Sequence, residues 1–211
     1  MITNHKKLSA AVYGFIIGDA LGVPVEFCSR EELRRSPITG MSGYGTYHRP
    51  AGTWSDDSSM LLCTLENLLE NGSNTNLAYK FVAWYQDAYM TAHGEVFDIG
   101  ITTRAAIMRL AEGTPWFQSG TTEERIACGN GSLMRILPYA FFESYIQLAS
   151  VQDRYQLIAL AGGITHNHPI PHLCSFFYVE LVRELANDNP AATALAQARE
   201  AVLSCLGSLD D

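Results

Sequence analysis

Apolar residues in this chain recur three and four positions apart, and no segment alternates apolar and polar residues for long. A period near 3.6 buries one face of a helix, whereas a period of two buries one face of a strand, so the pattern points to helices packed on helices. Leu8, Ala11, Val12, Phe15 and Ile16 mark a first stripe. It should end before Pro24, whose ring disfavours helical backbone in the residue ahead of it. Met60, Leu61, Leu62, Leu65, Leu68 and Leu69 mark a second, closed by Asn71-Gly72. Further helices are expected near 75–90, 101–112, 152–163, 171–187 and 190–206, with Pro171 and Pro190 suited to helix starts. The expected fold class is all-α, as a single domain over residues 1–211, with no internal repeat. Hydrophobic residues make up 47% of the chain and charged residues 17%, enough apolar material for a core and too little charge for disorder.

The net charge of −8 and the pI near 5.2 have the wrong sign for a nucleic-acid partner and suit a site that collects divalent cations. Five cysteines, Cys28, Cys63, Cys128, Cys174 and Cys205, are scattered without a C-x-x-C pair. Such a set reads as reduced thiols in a cytoplasmic protein. Lys6-Lys7 followed by Leu8 to Ile17 imitates a signal peptide, but Asp19 interrupts the run and no small-x-small cleavage site follows cleanly. No stretch approaches the roughly 18 apolar residues of a membrane span, so no membrane association is expected.

Chemistry is expected in the Gly-rich loops, 40–54, 129–135 and 162–171. Ser55-Asp56-Asp57, after Gly52-Thr53-Trp54, reads on its own as a Ser N-cap with an acidic first turn. Successive helical residues project about 100° apart, so the two carboxylates diverge and can serve two neighbouring ions rather than chelate one. All-oxygen ligands favour Mg²⁺, Mn²⁺ or Ca²⁺ over zinc. In Gly18-Asp19-Ala20-Leu21-Gly22-Val23-Pro24-Val25-Glu26-Phe27, Asp19 sits in an apolar helix, where an isolated carboxylate is costly. It is either a structural Asp bonded to backbone or part of a site. Glu26, beyond the Pro24 break, either enters a cleft or lies on the surface. Gly129-Asn130-Gly131-Ser132 leads to Arg135; it is a turn, or a nest of N–H groups that cradles an anion. Asp98 either caps the next helix or faces a cleft. His166, His168 and His172 raise zinc, but Pro169 and Pro171 keep one helix from presenting all three, and no Cys or carboxylate is suitably spaced.

The ordered set Gly18-Asp19-Ala20-Leu21-Gly22 through Glu26, Gly52-Thr53-Trp54-Ser55-Asp56-Asp57, Asp98-Ile99-Gly100, Gly129-Asn130-Gly131-Ser132-Leu133-Met134-Arg135 and Thr165-His166 resembles the ADP-ribosylglycohydrolase family, and within it the bacterial dinitrogenase-reductase-activating type. The resemblance runs from about residue 8 to about residue 185. It implies a compact orthogonal multi-helix fold with a two-metal site, Mg²⁺ or Mn²⁺, at the base of an ADP-ribose cleft. By the resemblance Ser55, Asp56 and Asp57 hold metal, with Ser in place of the commoner Thr. Glu26 is the water-positioning or gating acid, and Asp98 is the acid that meets the modified arginine. Asn130, Gly131, Ser132, Met134 and Arg135 form the ribose and phosphate loop, and His166 lines the site. The implied reaction is hydrolysis of the bond between C1″ of ADP-ribose and a protein side chain, arginine first among them. The implied partner is ADP-ribose or an ADP-ribosylated protein.

Members of the family carry a second metal motif, Gly-Asp-x-Asp-Thr-like, in a C-terminal third. None occurs here, and Ser208-Leu209-Asp210-Asp211 is not that motif. The chain is therefore expected to match the first two-thirds of the family fold, truncated at the C-terminus. An apolar seam should be exposed where further helices would pack, open to self-association. Three functions stand: an ADP-ribosyl hydrolase, a non-catalytic ADP-ribose-binding module on the same scaffold, and an unrelated zinc hydrolase built on the histidines.

Overall fold

The computed structural model describes residue 2 and residues 4–207, so Ser208-Leu209-Asp210-Asp211 lies outside the described residues. Eleven α-helices and three short 3-10 turns account for the regular structure among them. The only β-pairings among the described residues are isolated bridges, Ile2 with Phe142 and Thr121 with His166. The all-α expectation holds.

Helix α1 (His5–Gly22) starts where the Asn4 side chain accepts from the Lys7 N–H. It gives way to a 3-10 turn at Val23–Val25, with Pro24 inside the turn. A short α2 (Arg30–Arg35) follows, which apolar periodicity missed. It buries nothing and is closed instead by a capping box, with Ser29 and Glu32 each bonded to the other's N–H. Then come α3 (Asp56–Leu69), α4 (Asn74–Asp87) and α5 (Ile101–Ala111), and two single-turn helices, α6 (Trp116–Ser119) and α7 (Glu124–Ala127). The 3-10 turns Leu133–Arg135 and Leu137–Phe141 lead to α8 (Glu143–Ile146), α9 (Val151–Gly163), α10 (Pro169–Ala186) and α11 (Ala191–Gly207).

Gly162 and Gly163 close α9, in line with the helix expected over 152–163, so only the later part of the 162–171 Gly-rich stretch is loop. One boundary differs from expectation. Helix α10 starts at Pro169, not Pro171, because His168 is its N-cap and Nδ1 accepts from the Ile170 N–H. Pro169 thus takes the first helical position, which needs no N–H.

Helix α3 is central. Leu61 packs into a core with Ile136, Phe141, Ile158 and Phe176, which joins α1, α9, α10 and α11. Met60 and Cys63 face a second core with Phe81, Trp84, Ile107 and Ile164. Burial on two sides explains why α3 carries leucine on so much of its circumference. Its N-terminus is what emerges at the site.

Helix α1 differs from expectation in another way. An 18-residue window within residues 5–25 has a mean hydropathy of 1.6, so this segment is long and apolar enough to cross a membrane by length and composition. Counting unbroken apolar residues missed this, because alanine and glycine carry much of the run. Leu8, Val12 and Ala20 are buried in the fold. Tyr13 and Ile17 are exposed.

Candidate functional site

A cleft of about 930 Å³ opens where the end of α1, the head of α3, the start of α5 and the 129–134 loop meet. The loop before α3 sets one wall. Its Gly45 lies against Pro24, where a Cβ would stand 1.7 Å from the Pro24 carbonyl oxygen, so only glycine fits. Thr46 donates from its N–H to the Pro24 carbonyl and from Oγ1 to the Glu26 carbonyl, at 3.0 and 2.7 Å. These bonds pin the backbone that carries Glu26 into the cleft. Tyr47, one residue on, lies beside the Glu26 and Asp98 carboxyls and packs edge-on against Phe97 at 5.1 Å.

Asp98 is not a helix cap. The N-cap of α5 is Gly100, with no side-chain cap bond, and Asp98 lines the cleft with Glu26, Asp56 and Asp57. Ser55 is the N-cap of α3 and also reaches the cleft wall. Glu26 is pushed up from the usual carboxylate range by burial first, and by Asp98 beside it. Burial, then Asp98 and Asp57, hold Asp56 at about 7; burial, then Asp19 and Asp98, hold Asp57 at about 6. The shifts record excess negative charge at low dielectric.

That donor set fits a hard divalent cation as one edge of an oxygen shell. Asp56 and Asp57 supply carboxylates, Ser55 a hydroxyl, and the local charge calls for a counterion. Among the described residues no three His, Cys, Asp or Glu side chains converge into a closed metal site, so the other ligands of such a shell are not found among these side chains. The same holds for the histidines. His168 caps α10 and lies 3.5 Å from Cys128 Sγ, and His172 is buried beyond the 162–167 turn.

Asn130, Gly131, Met134 and His166 line the opposite wall. Gly131 must be glycine: a Cβ there would stand 2.6 Å from His166 Cε1 and 2.7 Å from Thr103 Oγ1. Ser132 and Arg135 do not line the cleft. Ser132 is buried against Ser175, Oγ to Oγ 3.2 Å. Arg135 is 1% exposed and donates to the carbonyls of Gly131, Ala161 and Gly162 and to Thr165 Oγ1. Its guanidinium also stacks over Phe81, 4.8 Å from the ring centroid. Arg135 is a strut beneath the anion loop rather than a phosphate ligand: its two terminal nitrogens are spent on buried backbone carbonyls and Thr165. Burial alone brings it down to about 10.

This strut orients His166. Thr165 Oγ1 accepts from Arg135 and lies 2.9 Å from His166 Nδ1, which fixes the ring's orientation. Burial takes His166 down to about 4. The ring is therefore neutral at pH 7, beside the glycine loop.

Sequence reading left Asp19 open between a structural and a site role, and the cleft takes it in; it missed Tyr47 beside the Glu26 and Asp98 carboxyls, and the exposed Phe27 and Ile101 at the cleft's mouth. Exposure of two large apolar side chains has no signal in local pattern.

A family description, ADP-ribosylglycohydrolase, matches residues 2–210. The chain belongs to the ADP-ribosylglycohydrolase family. It is 37% identical over 139 residues to ADP-ribosylarginine hydrolase Tri1 of Serratia proteamaculans, covering 64% of this chain and 36% of the relative. It is 34% identical over 164 residues to the Tri1 of Pseudomonas putida, covering 76% and 42%. It is 28% identical over 173 residues to the ADP-ribosyl-[dinitrogen reductase] glycohydrolase of Rhodospirillum rubrum, covering 79% and 53%. The chain thus spans between about a third and about half of these relatives. A solved ADP-ribosylglycohydrolase-related protein complex shares the fold, with a TM-score of 0.71 at 26% identity, over 92% of this chain and 60% of that one.

Proposed function

We propose that the cleft hydrolyses the bond between C1″ of ADP-ribose and an arginine side chain of a modified protein. The observation that carries this is the convergence of Glu26, Asp56, Asp57 and Asp98 on one cleft, in a member of a glycohydrolase family. The names of the two Tri1 relatives supply arginine as the acceptor.

Asn130 and the backbone of the 129–131 loop are the groups for the diphosphate and ribose, with the neutral His166 ring beside them. Ser55, Asp56 and Asp57 would hold Mg²⁺ or Mn²⁺, which supplies Lewis-acid polarisation and orientation of ribose hydroxyls and water. As the C1″–N bond breaks, positive charge builds on the ribose, and the Glu26 and Asp98 carboxyls lie where they stabilise it. Hydrolysis also moves one proton from water to the departing guanidine nitrogen. A carboxyl raised as Glu26 is suits that transfer at neutral pH. A cytoplasmic location is part of this reading, in keeping with five cysteines scattered without a C-x-x-C pair, with action on ADP-ribosylated protein rather than on nucleic acid or at a membrane.

A second reading, a module that binds ADP-ribose without turnover, is favoured by the incomplete donor set of the metal edge. Incubation with an arginine-ADP-ribosylated protein and Mg²⁺ or Mn²⁺, with released ADP-ribose and bound ADP-ribose measured in parallel, separates the two. Release that stops in chelator supports hydrolysis. Binding without release supports the module, and neither binding nor release overturns both.

A further inference from the structure

Asp19 belongs to α1, yet both its oxygens are committed to the head of α3. Oδ1 accepts from Ser55 Oγ at 2.8 Å. Oδ2 accepts from the Ser55 N–H at 3.0 Å, the Ser58 N–H at 3.1 Å and Ser58 Oγ at 2.6 Å. An N-cap serine ordinarily spends its own oxygen on the N–H two or three positions into the helix. Here Asp19 takes the Ser58 N–H, and the Ser55 oxygen keeps one longer bond, 3.3 Å, from the Asp57 N–H. The Ser55 hydroxyl proton also goes to Asp19. One lone pair on Ser55 Oγ is therefore left over, on a residue that lines the cleft.

Resting on the cation edge proposed above, we infer that Asp19 is a positioning residue, which takes the Ser58 N–H and the Ser55 hydroxyl proton, so that Ser55 Oγ caps only the Asp57 N–H and the first turn of α3 is fixed. Ser55, Asp56 and Asp57 then present oxygen lone pairs to a hard divalent cation. Without Asp19 the Ser58 N–H and the Ser55 hydroxyl lose their acceptor, and the Ser55 oxygen turns toward the Ser58 N–H and away from the cleft. An outer carboxylate that orients an inner ligand in this way alters metal affinity apart from any effect on stability.

The test uses the full chain and Mn²⁺ alone, with free Mn²⁺ read by electron paramagnetic resonance and folding by circular dichroism. Asp19→Asn sets an amide donor against N–H and O–H donors, and it is expected to raise the Mn²⁺ dissociation constant about tenfold or more. Ser58→Ala removes one of the four bonds and is expected to weaken Mn²⁺ by a smaller factor. Ser59→Ala, in the same turn but bonded to the Ser55 carbonyl instead, is expected to leave Mn²⁺ binding unchanged. Folded Asp19→Asn and Ser58→Ala proteins that bind Mn²⁺ like the parent overturn the inference. If Asp19→Asn does not fold, Ser58→Ala decides in the same way. A parent chain that binds no Mn²⁺ overturns both this role and the cation edge. A parent that binds Mn²⁺ but releases no ADP-ribose sinks the hydrolytic reading and leaves Asp19 in place.

Discussion

At the scale of single residues, the site is governed by negative charge without a counterion. Asp56 and Asp57 keep their protons to about 7 and about 6, whereas unfolded aspartates release theirs near 3.9. The folded state therefore binds more protons than the unfolded state between about pH 4 and about pH 7, and these groups lower stability as pH rises through that window. Asp56→Asn removes its share of the loss. In chelator at pH 7.5 the variant is expected to melt above the parent, with the gap closing toward pH 4. Thermal unfolding across that range checks this, and a gap that does not change with pH contradicts it. Gly131→Ala drives a Cβ onto His166 and Thr103; overpacking of this kind costs about 1–3 kcal/mol. Weaker ADP-ribose binding by calorimetry should accompany the loss. The acids at the head of α3 were legible in the sequence because their spacing is local. Asp19 stood out as a carboxylate in an apolar helix, but its partners and Tyr47's place lie tens of residues away and only packing brings them together.

Elements were read most faithfully where one face is buried, as in α3, α4, α5, α9 and α11. Helix α2 was invisible to periodicity, since its stability is local and polar. Arg135 was misassigned because an arginine after a glycine loop reads as an anion ligand, but this one is sealed under the loop. Its bonds tie the 131–135 turn to the end of α9. Arg135→Met removes these buried bonds from the 131–135 turn and is expected to cost about 3 kcal/mol, measured by urea unfolding. An arginine that met the diphosphate would instead give weaker ADP-ribose binding at unchanged stability.

Over the whole molecule, period and composition fixed the helical class, and the order of motifs carried the family. What period could not convey is how α1 is used. It is apolar around most of its circumference, yet only one side is packed, and Tyr13 and Ile17 stand out to solvent. An exposed apolar face of this kind promotes association. Sedimentation velocity is expected to show concentration-dependent self-association that Ile17→Glu reduces, with circular dichroism unchanged. The same face adjoins the cleft through Gly14 and Gly18, so what covers α1 also bounds the site. The central claim, that the acids at the head of α3 serve glycosidic hydrolysis, is tested most directly by the rate of ADP-ribose release from an arginine-ADP-ribosylated protein in saturating Mg²⁺. The parent chain is expected to release ADP-ribose, with Asp56→Asn slower by about a hundredfold or more, as for loss of a group that stabilises the transition state. Release by Asp56→Asn at the parental rate would contradict it.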